Sequence, residues 1–192
     1  MNTTCMGIDP DLRLLACAWV GEQEDGLVVP QGLVVRHVNG DGTRGLDLVN
    51  RAIAAISEFP LPWGFASAYV ESQQAYDKGK NKRVDPNDLI HLASVSGSWM
   101  GRLGTRCRLV LPSTWKGTTP KKIAQARTWK HLGIPAKQTT NGSVPTVDLQ
   151  TVLGVYDVDK KLTRLEMSDV ADSFGLALYA HRQYKLSVSR RS

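Results

Sequence analysis

The chain has 192 residues, 42% hydrophobic and 22% charged, which fits one globular domain and excludes a disordered or fibrous chain. Lys and Arg outnumber Asp and Glu by 24 to 18, giving a formal net charge of +6, and the isoelectric point near 9.3 suits an anionic partner such as nucleic acid. The apolar run Leu14 to Val20 is too short to cross a bilayer and no basic segment precedes it, so neither a membrane span nor a secretory signal is expected; three irregularly spaced cysteines (Cys5, Cys17, Cys107) suit a reducing, cytoplasmic compartment rather than a zinc site or disulfide framework.

In chain order, Cys5 to Ile8 and Leu14 to Val20 read as strands, the first ending near Asp9 and Pro10. Leu27 to Val29 and Leu33 to Val38, separated by Pro30 and Gly32, continue a meander. Leu46, Val49, Ile53 and Ile56 recur at helical spacing, with Thr43 as N-cap and a stop before Pro60. Ala68 to Val70 is a short strand that delivers Glu71 at its end, and residues 73–84 form a polar loop. Asp85-Pro86 opens a helix whose expected apolar face is Leu89, Ala93, Met100 and Leu103. Leu109 to Leu111 is a strand stopped by Pro112, and Pro120 opens a helix to about Leu132. Residues 148–165 carry no clear pattern. Ser168 caps a last helix through about Tyr184, leaving 1–186 as one domain and 187–192 as a loose basic tail. A meander followed by strand–helix crossovers describes an α/β sheet of mixed direction.

The charge is unevenly placed. No acid occurs between Asp88 and Asp148, a stretch that carries Arg102, Arg106, Arg108, Lys116, Lys121, Lys122, Arg127, Lys130 and Lys137. Soluble surfaces usually mix both signs, so this reads as a phosphate-binding face. Lys78, Lys80, Lys82 and Arg83 form a second basic cluster just upstream.

Against this background four acids stand out. Asp9 interrupts an apolar strand, Glu71 ends a central one, and Asp169 and Asp172 are three apart at the start of the last helix, on one face. Singly, each has a plain structural role: a turn at Pro10, an edge charge, a helix-dipole partner. Together, strand-end acids in an α/β sheet gather at one end, and gathered carboxylates repel unless cations neutralise them. Oxygen-only ligands suit Mg²⁺, with Mn²⁺ as substitute. A pair of such ions can hold the attacking water and leaving oxygen of a phosphodiester displacement.

These residues also carry a resemblance. Met6-Gly7-Ile8-Asp9-Pro10 resembles the opening motif of RuvC-type Holliday junction resolvases, Tyr69-Val70-Glu71 is similar to their second motif, and Ser168 to Leu178 resembles their terminal acidic helix, all in the right order. The resemblance implies an RNase H-like fold, a mixed five-stranded sheet flanked by helices. It also implies a homodimer and symmetric nicking of four-way DNA junctions, with two Mg²⁺ ions per site on Asp9, Glu71, Asp169 and Asp172. It further implies that Lys116, and Lys121 or Lys122, contact the scissile phosphate. Three departures suggest a divergent, phage-type member: Asp11 stands where a glycine usually follows the first motif, the loop after Glu71 is lysine-rich, and residues 139–165 do not align.

Rival readings remain. An RNase H-like nuclease on other branched DNA or RNA–DNA hybrids shares the same acids. A non-cleaving branched-DNA scaffold would gain nothing from repelling carboxylates, and an actin-like ATPase would need a Gly-rich phosphate loop. Tyr76, in the basic loop, either stacks on a base or covers the loop's own foot. Trp115 and Trp129 read as packing residues before base platforms. Gln73 and Gln74 read as surface residues, and small Ser94, Ser96 and Gly97 as a helix side packed on the sheet before a dimer contact.

Overall fold

A computed structural model of the protein describes residues 3–38, 44–62, 64–72, 86–137, 146–147, 149 and 155–190. Strands β1 (Thr4–Pro10), β2 (Leu14–Glu22) and β3 (Val28–His37) form an antiparallel meander. Helix α1 (Leu46–Glu58) crosses over to β4 (Ser67–Glu71), parallel to β1, and α2 (Pro86–Leu103) crosses to β5 (Cys107–Val110), parallel to β4. A short α3 (Pro112–Trp115) and α4 (Lys121–His131) follow, then a two-residue pairing of β6 (Ala136–Lys137) with β7 (Thr146–Val147), β8 (Val155–Val158) and the long α5 (Glu166–Ser189). The main sheet runs β5-β4-β1-β2-β3-β8.

The sheet therefore has six strands where five were expected. The extra one, β8, adds parallel to β3 from the region that patterning left ambiguous. Four residues with an aspartate inside are too short to show a period. The two runs around Pro30 are also one strand. A bulge between Trp19 and Val20 sets Gly32 against Trp19 and Pro30 against Val20, which accommodates a proline in the ladder.

Each face of the sheet is covered, which explains why β2 is apolar from Leu14 to Gly21. Met6, Ile8, Leu15, Cys17 and Val70 pack on α1 and α2; Ala16, Ala18, Leu33 and Val35 pack on α4 and α5. The helix faces differ from those expected. In α1 the buried residues are Leu48, Val49, Ala52 and Ile56, while Leu46 and Ile53 are exposed. In α2 they are Val95, Ser96, Trp99 and Leu103, while Ala93 is exposed and Leu89 and Met100 are half-buried. Trp99, edge-on to Phe59 at 5.0 Å, and not the aliphatic series, defines that face. Ser94 and Gly97 face outward. Helix α1 begins after Gly45, at φ 62°; the proposed cap Thr43 lies outside the described residues.

Ser168 does not cap α5. It is buried inside the first turns, and Thr163 and Glu166 bond reciprocally instead: the Thr163 N–H donates to Glu166 Oε2 at 2.6 Å and the Glu166 N–H to Thr163 Oγ1 at 3.4 Å. The helix continues through Ser189, into the segment expected to be loose. Cys5, Cys17 and Cys107 are buried free thiols, those of Cys5 and Cys107 pushed up to about 12 by burial, so they act as small apolar groups. Among the described residues no helix is long and apolar enough to cross a membrane.

Candidate active site

The period of two along β1 separates its side chains: Met6 and Ile8 enter the α1–α2 side, while Cys5, Gly7 and Asp9 face α5. Neighbouring β4 is in parallel register, with Ile8 opposite Val70, so the next positions, Asp9 and Glu71, stand side by side at the carboxyl ends of two adjoining strands. Gly7 determines how close α5 comes. A Cβ at Gly7 would fall 2.1 Å from the Ser173 carbonyl oxygen and 2.3 Å from the Ala177 nitrogen, so the helix backbone rests on the strand backbone. The Ser173 hydroxyl donates to the Ala16 carbonyl at 3.1 Å and fixes the seat. This contact brings the first turns of α5, and with them Asp169 and Asp172, to the acids on the strands.

The four predicted acids come together. Asp9 feels the charges of Glu71, Asp169 and Asp172. Burial first, and then those three charges, hold the Asp9 carboxyl well above the usual carboxylate range, with Lys121 opposing. Burial also raises Glu71, against the pull of Lys116 and a hydrogen bond from Trp115. Asp169 is pushed up to about 7, chiefly by burial, with Lys121 opposing and Asp11, Asp172 and Glu166 adding repulsion. Asp11 stays at the rim, where its Oδ1 accepts the Arg13 N–H at 2.7 Å in a turn, close enough to act on Asp169.

Two lysines enter the cluster. Lys116 Nζ lies 3.5 Å from Glu71 Oε2 and 3.8 Å from Asp172 Oδ2. Lys121 Nζ lies 2.9 Å from Asp172 Oδ2 and 4.0 Å from Asp169 Oδ1. Of the two neighbouring lysines, Lys121 reaches the carboxylates and Lys122 is exposed on the same helix. Burial works against the Lys121 charge, but Asp172 outweighs it and the ammonium is held above its ordinary range. Among the described residues no three acidic, histidine or cysteine side chains form a metal cage as they stand, and the two ammonium groups lie against Glu71, Asp169 and Asp172. As a donor set, four oxygen ligands, three of them raised by burial and crowding, fit hard divalent cations, which would relieve that repulsion.

Two supporting residues escaped the sequence reading. Trp115, expected to be a packing residue, donates its Nε1–H to Glu71 Oε2 at 2.7 Å, and Lys116 Nζ lies 4.8 Å from the centre of its ring. Gly175 makes room for that indole: a Cβ there would be 2.6 Å from the ring. Gln125, 1% exposed, donates from Nε2 to Asp172 Oδ1 at 3.1 Å and to Ser168 Oγ at 2.8 Å. Its spacing of four from Lys121 was the available signal, because both then share one helical face. Trp129 is fully buried against Phe174, as a core residue. Gln73, Gln74, Tyr76, Lys78, Lys80, Lys82 and Arg83 lie outside the described residues.

The sequence matches no protein-family model and no curated protein sequence. Among solved structures, the chain is similar to Thermus thermophilus RuvC, at 16% identity and a TM-score of 0.56 over 92% of each chain. It is also similar to the T. thermophilus RuvC solved in complex with a Holliday junction substrate, at 14% identity and a TM-score of 0.57 over 92% of this chain and 91% of that one. At these identities the shared property is the fold, the RNase H-like arrangement that the sequence resemblance implies.

Proposed function

We propose that this protein is a Mg²⁺-dependent, structure-selective DNA endonuclease that resolves four-way junctions by symmetric phosphodiester hydrolysis, acting as a homodimer. The observation that carries the reading is the gathering of Asp9, Glu71, Asp169 and Asp172 at one sheet end, under two lysines, on the fold of a protein solved with a Holliday junction. Those four carboxylates would hold the divalent ions, Mg²⁺ or Mn²⁺, two to a site. When bound, such ions supply activated water and stabilise charge on the phosphate.

The chain's own groups do the positioning. Trp115 fixes Glu71 and Gln125 fixes Asp172, so two of the four ligands hold their orientation by hydrogen bonds from neighbouring helices. Lys116, in reach of both, is placed to transfer its ammonium from carboxylates to a phosphate oxygen when DNA arrives. Lys121, half-exposed at the mouth, does the same nearer solvent. The basic loop around Tyr76 would meet the junction centre, where pairing is weakest. A two-fold dimer supplies two sites related as opposed junction strands are.

A scaffold that binds branched DNA without cutting it has no use for carboxylates whose crowding costs stability. The discriminating experiment incubates the protein with Mg²⁺ and a four-way junction, a linear duplex and an RNA–DNA hybrid. Paired nicks confined to the junction are expected. Cutting of the hybrid alone, or binding without cutting, would replace this reading with one of its rivals.

A further inference from the structure

Between α4 and α5, beside the carboxylates, lies a cavity of about 550 Å³, within the size range of ligand sites. It shares Trp115 and Lys116 with the catalytic cluster, so the two are continuous. Its floor is apolar, made by Trp115, Leu178 and Tyr179 across the gap that Gly175 leaves. Its walls carry Arg127 from α4 and Arg182 from α5, both exposed and neither ion-paired among the described residues. Glu22, the neighbouring carboxylate, is occupied by His181 at 3.2 Å and Lys185 at 2.8 Å, and does not neutralise them. Two guanidinium groups facing one apolar-floored cavity form a receptor for an anion that also has a flat, apolar part.

We propose that this cavity takes one nucleotide of the DNA strand that leaves the catalytic carboxylates, its phosphate on Arg127 and Arg182 and its base or sugar on the Trp115–Leu178–Tyr179 floor; the inference rests on the nuclease reading above. The reach agrees. Asp172 and Arg182 are ten residues apart on one helix, a rise of about 15 Å, and a strand advancing about 3.4 Å per nucleotide covers that in about four nucleotides. The cavity therefore holds the strand at a second point, away from the carboxylates, and adds to binding rather than to the chemical step.

The test is the double variant Arg127→Ala/Arg182→Ala, compared with the wild-type protein on a four-way junction. Binding is measured in Ca²⁺ over a salt series, and single-turnover cleavage in Mg²⁺ at saturating protein. Both arginines are exposed and outside the carboxylate cluster, so folding is expected to survive, with thermal unfolding as the check. The expected result is binding weakened tenfold or more, a slope of log affinity against log salt reduced by about 1.5–2, and a saturated cleavage rate within twofold of wild type. A folded variant with unchanged affinity and slope overturns the inference while leaving the nuclease reading intact. A wild-type protein that neither binds nor cuts the junction overturns both.

Discussion

Replacing Asp169 by Asn should stabilise the protein in the absence of divalent metal. In the folded chain the Asp169 carboxyl is pushed to about 7 from an ordinary 3.8, so its ionised form is disfavoured by roughly 4 kcal/mol above pH 7, at about 1.4 kcal/mol per pH unit. The side chain is 27% exposed, so water screens about half of this; the 4.0 Å contact with Lys121 already opposes the shift and is contained in it. A net gain of about 2 kcal/mol at pH 8 follows, which in a 192-residue domain raises the melting temperature by about 4–8 °C. The sign fixes the pH profile. A pKa higher in the folded than in the unfolded state gives stability that is complete below about 4 and is lost as pH rises through 7. The gap between variant and wild type should therefore be largest at pH 8, narrow at pH 5 and nearly vanish at pH 4. Thermal unfolding in EDTA across this range reads it directly. A variant no more stable than wild type at pH 8, or a gap that does not close on acidification, would refute the account of crowded, desolvated carboxylates.

The same cluster predicts that Asp9→Asn, Glu71→Gln or Asp172→Asn abolishes junction cleavage but spares binding; nicking by Asp9→Asn at the wild-type rate would remove it from the site. Trp115→Phe loses the bond to Glu71 and keeps an aromatic ring, though not the outer indole carbons that meet Gly175. Stability should fall by about 1 kcal/mol while cleavage drops tenfold or more, and unchanged cleavage would make the indole a packing residue only. Gly7→Ala should cost about 3 kcal/mol or more, because both atoms it strikes are helix backbone; a melting temperature within a few degrees of wild type would contradict the close seat. Neutralising Lys80, Lys82 and Arg83 together should weaken junction binding and flatten its salt dependence, and an unchanged slope would mean that they do not touch DNA.

The acids were legible in the sequence because each breaks a local rule: Asp9 and Glu71 end apolar strands, and Asp169 and Asp172 recur at helical spacing. The basic stretch divides: Lys116 and Lys121 reach the acids, while Arg102 and Arg106 donate to the Phe59 and Phe65 carbonyls. What could not be read depends on tertiary contact. Strand β8 carries no period of its own and exists by pairing with β3. The buried face of α2 follows Trp99 meeting Phe59, forty residues away in sequence. Ser168 has the composition of a cap, but a buried glutamine from α4 claims it, and the cap falls to Thr163 and Glu166 upstream. Trp115 and Gln125 gain their roles only when α3 and α4 are laid beside α5.

The seat of α5 on Gly7 has a consequence for tolerance to change. Where side chains separate a helix from a sheet, each methylene gained or lost moves the helix by a fraction of an ångström. Here main chain meets main chain at one point, which acts as a mechanical stop. Substitutions among Ala18, Leu33 or Val35, elsewhere under the same helix, can tilt or loosen it about that stop while the stop itself stays at the same distance. Asp9 is two residues beyond the stop on the strand, and Asp169 and Asp172 lie within a turn or so of it on the helix. The spacing between the two pairs of acids is therefore insulated from drift in the core, so such variants should lose melting temperature long before they lose chemistry.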